Sequence, residues 1–374
     1  MKEPRRILVV APNWLGDVVM LTPLLTWLDA VRRAPGGPSL ELALAVRAAW
    51  APLFAGDPRV DELLVAERPG RHDGLRGIAA QAARWRQGRF DAALLGPPSL
   101  RAALTAALAG VDLRIGHRGD GRSLLLTSAL PRAPRGTRHY ALEMLDLGAA
   151  LAGIARWERA ALPAPEPAEA RLQAMASAMT PSAERPLWAL GPGTTFGPAK
   201  NWPAAPMAAF VSAAVATEGA RVLLLGDAGA APIIDELRLA LPALRWTRGM
   251  DGGESALQAD VIDLSGCTTL PEAVAWLGRC RAYVGNDSGL MHVAAALGIP
   301  TVGLFGSSNP DWTRPSGAFV EVVAADGFAC RPCYRRTCNH PVFCLGAVEG
   351  ERVLQAVQRL LAAAAGRREG SSPG

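Results

Sequence analysis

Arg6-Ile7-Leu8-Val9-Val10-Ala11-Pro12-Asn13-Trp14-Leu15-Gly16-Asp17 decides the architecture of this chain. Its opening run is apolar, too short for a helix and without polar alternation, which is how a strand buried on both faces reads. From Asp17 to Arg33 the period changes, and Val18, Leu21, Leu24, Leu25, Leu28 and Val31 fall on one helical face. A buried strand feeding an amphipathic helix is the repeating unit of a parallel sheet. Further strands are expected at 39–46, 60–65, 90–95 and 111–115, all in one sheet.

Pro163, Pro165, Pro167, Pro181 and Pro186 then punctuate a stretch with one short helical pattern near 168–179, which reads as a linker. A second series follows. Strands are expected at 187–190, 221–225, 261–264, 282–284 and 301–305, with helices at 205–218, 232–241, 270–280 and 290–297 between them. The expected organisation is an α/β chain of two Rossmann-like, doubly wound parallel-sheet domains. The first spans 1–162, the linker 163–185 and the second 186–350; a closing helix at 351–365 and a polar Gly- and Ser-rich tail at 366–374 complete it.

At 374 residues, half hydrophobic and a fifth charged, the chain has sequence for two cores and is far from the composition of a disordered protein. Met1-Lys2-Glu3-Pro4-Arg5 leads directly into the first strand, and no stretch supplies about 20 uninterrupted apolar residues. The expectation is a cytoplasmic protein that could still sit on a membrane surface. Charge is uneven: between Ala66 and Tyr140 thirteen Arg face five Asp and Glu, whereas Pro186 to Cys330 holds eight basic and thirteen acidic residues. The basic half suits a phosphate-rich or membrane-surface partner, or is simply a solvated arginine surface. Only two lysines occur, Lys2 and Lys200, so Lys200 is a compact ammonium at an interior position of a chain that otherwise writes Arg.

Three loops at expected strand ends could carry chemistry. Asn13, Trp14, Gly16 and Asp17 lie between the first strand and its helix, where Asp17 can act as a general base toward a hydroxyl or cap the helix. Gly191-Pro192-Gly193-Thr194-Thr195-Phe196-Gly197-Pro198-Ala199-Lys200 offers hydroxyls, glycines and a cation for a diphosphate, without the Gly-Lys-Ser/Thr ending of a P-loop. Val284-Gly285-Asn286-Asp287-Ser288-Gly289-Leu290-Met291-His292 ends a strand and opens a helix. Its first amides, Ser288 and Gly289 can hold phosphate, and Asp287 can accept from a sugar hydroxyl. His292 is either part of that pocket or a histidine packed between layers. No Gly-x-Gly-x-x-Gly follows the first strand, which argues against a dinucleotide dehydrogenase. Cys330, Cys333, Cys338 and Cys344, with His340 among them, read as free thiols near a substrate loop or as a structural metal site of irregular spacing.

Together Asn13-Trp14-Leu15-Gly16-Asp17, Phe196-Gly197-Pro198-Ala199-Lys200, Asp287-Ser288-Gly289-Leu290-Met291-His292, Gly306-Ser307-Ser308-Asn309-Pro310-Asp311 and the Pro332-Cys333 to Cys338 stretch resemble the heptosyltransferase family. Within it they are most similar to the ADP-heptose:lipopolysaccharide heptosyltransferase II branch. The resemblance spans residues 7 to about 345. It implies a GT-B fold with two domains facing across a cleft, and inverting, metal-independent transfer of L-glycero-D-manno-heptose from ADP-heptose to a heptose of the lipopolysaccharide inner core. By that resemblance Asp17 and Lys200 would be catalytic, with Asp17 the base. Thr194, Thr195, Lys200, Asp287, Ser288, Gly289 and His292 would bind the donor, and Asn13, Trp14 and Gly16 would lie on the acceptor side. Thr194-Thr195 stands where that branch usually has Ala-Glu, so a related acceptor such as Kdo, or another nucleotide sugar, is the alternative; a non-catalytic nucleotide-binding module is the third reading. The implied partners are ADP-heptose, a phosphorylated lipid A-core acceptor and the cytoplasmic face of the inner membrane, with no nucleic acid and no cofactor.

Overall fold

The computed structural model describes residues 4–155, 185–249 and 258–369. The chain divides into two compact units, Met1–Pro167 and Ala168–Gly374. Apart from Arg185, the stretch expected as linker lies outside the described residues, as does the helix expected near 168–179.

The first unit runs β1 (Arg6–Val10), α1 (Leu15–Arg33), β2 (Glu41–Arg47), β3 (Glu62–Ala66), α2 (Gly74–Gln87), β4 (Ala92–Leu95), α3 (Leu100–Leu108), β5 (Leu113–His117), β6 (Ser128–Leu130) and α4 (Tyr140–Ala155). Its six strands pair in the order β3-β2-β1-β4-β5-β6, all parallel. Ile7, Leu8, Val9 and Val10 of β1 are all buried, as a strand covered on both faces requires. Pro23 sits inside α1 and has no N–H for the Val19 carbonyl; the Thr22 hydroxyl donates there instead, at 2.6 Å. Gly148 lets α4 lie against α1, because a Cβ there would stand 2.7 Å from Trp27 Cζ3 and 2.8 Å from Leu24 Cδ1.

The second unit runs β7 (Leu187–Gly191), α5 (Ala204–Glu218), β8 (Arg221–Leu224), α6 (Ala231–Ala240), β9 (Trp246–Arg248), β10 (Val261–Asp263), α7 (Leu270–Leu277), β11 (Ala282–Asn286), α8 (Gly289–Ala296), β12 (Thr301–Phe305), α9 (Pro310–Thr313), β13 (Val320–Ala324) and α10 (Gly350–Glu369). Its sheet is β13-β12-β11-β7-β8-β10-β9, again parallel throughout. Trp188, Trp202, Phe210, Val211 and Leu224 share one core with Leu345, Val353, Leu354 and Val357, so α10 is packed into this unit. That helix continues to Glu369, and the tail expected to start at 366 is helical over its first four residues. The helix pattern is carried past Gly366 by Arg367 and its neighbours, with Arg367 placed over the Phe319 ring. Among the described residues no helix is long and apolar enough to cross a membrane.

In the first sheet the direction of strand addition reverses between β1 and β4, and in the second between β7 and β11. Ligands of open parallel sheets collect at the carboxyl ends of strands at such points. The three loops picked out above leave β1, β7 and β11 there.

Candidate active site

In the second unit the two loops that leave β7 and β11 are fastened together by Asn286. This residue is fully buried, with its amide donating to the Gly191 carbonyl (3.3 Å) and the Pro192 carbonyl (3.0 Å), and its Oδ1 accepting from Trp202 N (2.9 Å). Every hydrogen bond of that side chain goes to the loop that carries Lys200, so Asn286 positions the lysine from a neighbouring strand. Trp202 is held at its far side as well, its indole N–H donating to Val348 O at 2.9 Å. Gly191 and Gly285 are required where they stand, because a Cβ at either would lie 2.3 or 2.4 Å from the Tyr283 hydroxyl.

The result is a contact between two expected site residues that are 87 positions apart. Lys200 Nζ lies 2.5 Å from Asp287 Oδ2 and also donates to the Asp287 carbonyl at 3.5 Å. Both side chains are largely buried, at 16 and 7 % exposure. Thr313 donates to the same carboxylate oxygen at 3.4 Å. Lys200 Nζ sits 4.8 Å from the centre of the Phe196 ring, and the Arg336 guanidinium 5.7 Å from it, so the ring shields one side of the ammonium from water. The lysine expected to face a phosphate is thus held by an aspartate expected to face a sugar.

The other donor-side residues are placed as follows. Thr194 is tied into its own loop, its N–H donating to Asn201 Oδ1 (3.0 Å) and its hydroxyl to Gly197 O (3.3 Å), while Thr195 is exposed. Gly197 has φ +146°, and a Cβ there would stand 2.7 Å from Arg336 O, so only glycine allows this approach. Ser288 occupies the N-cap of α8 without capping through its side chain, and Gly289 is the first helical residue. His292, one turn in, is buried at 4 % exposure. At the end of β12, Ser307 and Ser308 are buried with hydroxyl oxygens that have no hydrogen-bond partner among the described residues.

The cysteine-bearing segment lies over these strand ends. Arg331 donates to Gly306 O (2.6 Å) and Phe305 O (3.0 Å), Tyr334 N to Ser307 O (2.8 Å), and Arg336 O accepts from Ala199 N (3.0 Å). All six cysteines are free thiols, and burial pushes Cys344 upward. Among the described residues no group of three or more His, Cys, Asp or Glu is arranged to hold a metal ion. Of the arginines of this segment, Arg331 ties it to the end of β12 and Arg336 lies against the Phe196 ring.

In the first unit Trp14 occupies the N-cap position of α1 and makes no side-chain cap, with half its surface exposed. Asp17 is the third helical residue and half-buried, and its charge adds to the first turn of the helix. Gly16 is buried, and the Asn13 carbonyl accepts from Arg47 (3.2 Å) and from the Trp50 indole (3.0 Å). Beside Asp17, at the first turn of α4, the Tyr140 hydroxyl is pushed well above its usual range by burial and then by the negative charges of Asp17 and Glu143. A recess at the same sheet edge is lined by Asn13, Arg47, Arg68, Ser99, Arg101 and Thr105. Arg101 is lowered by burial and by the charge of Arg68, and its Nε is buried without a hydrogen-bond partner.

Comparison with known proteins gives this geometry a family. The pattern of glycosyltransferase family 9 (heptosyltransferase) matches residues 78–343. The chain is 34% identical over 326 residues to lipopolysaccharide heptosyltransferase 2 of Salmonella typhimurium, covering 85% of this chain and 87% of that protein. It is 30% identical over 328 residues to lipooligosaccharide heptosyltransferase 2 of Haemophilus influenzae, covering 83% and 85%. Among solved structures, that of E. coli ADP-heptose lps heptosyltransferase II superimposes with a TM-score of 0.69 at 28% identity, covering 96% of this chain and 99% of that one. The two parallel α/β units are those of the GT-B heptosyltransferases. The chain therefore belongs to glycosyltransferase family 9, the heptosyltransferases.

Proposed function

We propose that this glycosyltransferase moves a heptose from an ADP-heptose donor to a heptose of the lipopolysaccharide inner core, with inversion at the anomeric carbon, at the cytoplasmic face of the inner membrane. The observation that carries this reading is the similarity to lipopolysaccharide heptosyltransferase 2 along more than four-fifths of both chains. The local chemistry supports it. An acceptor hydroxyl attacks the anomeric carbon, its proton passes to the Asp17 carboxylate, and the bond to the diphosphate oxygen breaks so that ADP leaves with the electron pair. The half-buried carboxylate at the start of α1 serves the first event. Lys200 and the first amides of α8 serve the last, since a positioned donor at a developing anion is worth about 3–4 kcal/mol.

The Lys200–Asp287 contact fits this role. Asp287 holds the ammonium in place, and a departing diphosphate would compete with that carboxylate for the positive charge of Lys200. In the first unit the arginine-lined recess suits the anionic groups of a phosphorylated core.

The test is ADP release from ADP-heptose, with and without lipid A-core acceptors that carry or lack the first heptose. Release that requires the heptose-bearing acceptor supports the reading; release with the heptose-free core instead would move the chain to the alternative acceptor, Kdo. Asp17→Asn should lower turnover by about 10²–10⁴-fold, the range of a general base, with donor affinity nearly unchanged. Full turnover in Asp17→Asn would remove the base from the first unit.

A further inference from the structure

Lys200 already has an anion. Its ammonium lies 2.5 Å from Asp287 Oδ2, so the pair is close to neutral before any ligand arrives. A leaving diphosphate carries several negative charges and calls for positive charge beyond what that pair supplies. The segment that lies over the ends of β7 and β12 has it to give. Between Asp326 and Glu349 the chain writes three arginines, Arg331, Arg335 and Arg336, and no acidic residue.

Arg331 is engaged by the Gly306 and Phe305 carbonyls. Arg336 is placed differently. Its backbone is clamped beside the lysine loop: Ala199 N donates to Arg336 O at 3.0 Å, and Gly197, at φ +146°, approaches so closely that a Cβ there would stand 2.7 Å from that carbonyl and 3.2 Å from Arg336 Cβ. The side chain is exposed, with its guanidinium 5.7 Å from the centre of the Phe196 ring that Lys200 Nζ approaches to 4.8 Å. Two cations therefore share one aromatic ring, and among the described residues Arg336 has no ion pair. Like charges gathered in this way repel, and an anion set against both relieves the repulsion.

A second observation points to a ligand at the same strand ends. Tyr334 N moors the segment to Ser307 O at 2.8 Å, and the hydroxyls of Ser307 and Ser308 are buried, at 2 and 3 % exposure, without a hydrogen-bond partner among the described residues. Buried hydroxyls are unfavourable unless something pairs with them, and a bound polar group is one such partner.

We infer that Arg336 is a second anion-binding residue of this site, holding the diphosphate of a nucleoside diphosphate or nucleotide sugar together with Lys200. Arg336 carries the charge that Asp287 cancels on the lysine, and its planar fork offers a phosphate two parallel N–H groups, which an ammonium cannot do. The inference rests on the proposed function for the identity of the ligand, and it deepens that reading by taking part of the diphosphate site from the cysteine-bearing segment.

The experiment measures the affinity of the full chain for ADP and for adenosine by calorimetry, in the wild type, Arg336→Gln, Arg336→Lys and Arg335→Gln. Arg336→Gln should bind ADP about 10–100-fold more weakly, as for loss of a charge-assisted contact to phosphate, with adenosine affinity and the melting temperature of the unliganded protein unchanged. Arg336→Lys should recover part of the loss, and Arg335→Gln, one residue away, should bind ADP as the wild type does. Native ADP affinity in Arg336→Gln overturns the inference. An equal loss for adenosine, or a lowered melting temperature, makes Arg336 a prop for the Phe196 loop and overturns it too, as does an equal loss in Arg335→Gln, which would mark a general effect of charge. A wild type that does not bind ADP removes the proposed function together with this inference, whereas a wild type and an Arg336→Gln variant that bind ADP equally remove this inference alone.

Discussion

Two ion-pair sites of the second unit, one at each edge of its sheet, are built differently. At the carboxyl edge Lys200 and Asp287 share one short contact, and among the described residues Thr313 adds a long hydrogen bond to the carboxylate. At the amino edge Asp260 accepts from Arg185 Nη1 (3.0 Å), Arg245 N (3.1 Å), Arg245 Nε (3.1 Å) and Arg245 Nη2 (3.2 Å). Arg185 goes on to the Gly219 and Ala220 carbonyls, so that cluster ties together the turns that precede β7, β8 and β10. A saturated pair is a staple. A pair with capacity to spare, lying where strand ends collect ligands, is suited to exchange one partner for another.

Lys200→Ala tests the difference most severely. If the ammonium meets the leaving diphosphate, turnover should fall by about 10²–10³-fold, as for loss of one well-placed donor. ADP affinity, read by calorimetry, should fall with it. Melting temperature should move little in comparison, because Asn286 and Trp202 continue to hold the loop. A variant with native turnover and a lowered melting temperature would make Lys200–Asp287 a second staple and erase the contrast.

Much of this was legible along the chain, and what was not has a common cause. Continuous apolar runs revealed β1, β7, β10, β11 and β12. Three strands were absent from that reading: β6 and β9 are three residues long, and β13 is a half-buried edge strand with only Val323 fully covered. Such strands lack the periodic signal, which depends on burial over several residues. Lys200 stood out as an interior lysine, and Asp287 by its place before Ser-Gly at a helix start. Their contact could not be seen, because it arises from the crossover that sets β11 beside β7. Asn286 was in view as one letter of a motif, yet its work is done on carbonyls more than 90 positions away. A polar amide ending an otherwise apolar strand was the available signal.

Asp260→Asn probes the other edge. The arginines beside it, Arg245 above all, hold its carboxyl down at about 2, against an ordinary value of 3.8. Discounted for the water that reaches the half-exposed Arg245, this corresponds to about 1–2 kcal/mol of stability at neutral pH. The variant should lose that amount in urea unfolding while ADP release per folded molecule stays as in the wild type.

The same cluster predicts how the protein responds to acid. A carboxyl whose value is lower in the folded state than in the unfolded chain binds fewer protons when folded, so its contribution is complete above about 4 and is surrendered as pH falls toward 2. Wild type and Asp260→Asn should therefore differ by about 1–2 kcal/mol at pH 7 and converge across that acidic window. Other carboxylates titrate there too, but they do so in both proteins, so the difference between the two curves isolates Asp260. A gap that persists unchanged at low pH would mean the asparagine costs stability through packing rather than charge. The amino edge would then be held by shape, and the contrast with the Lys200 contact would have to rest on the carboxyl edge alone.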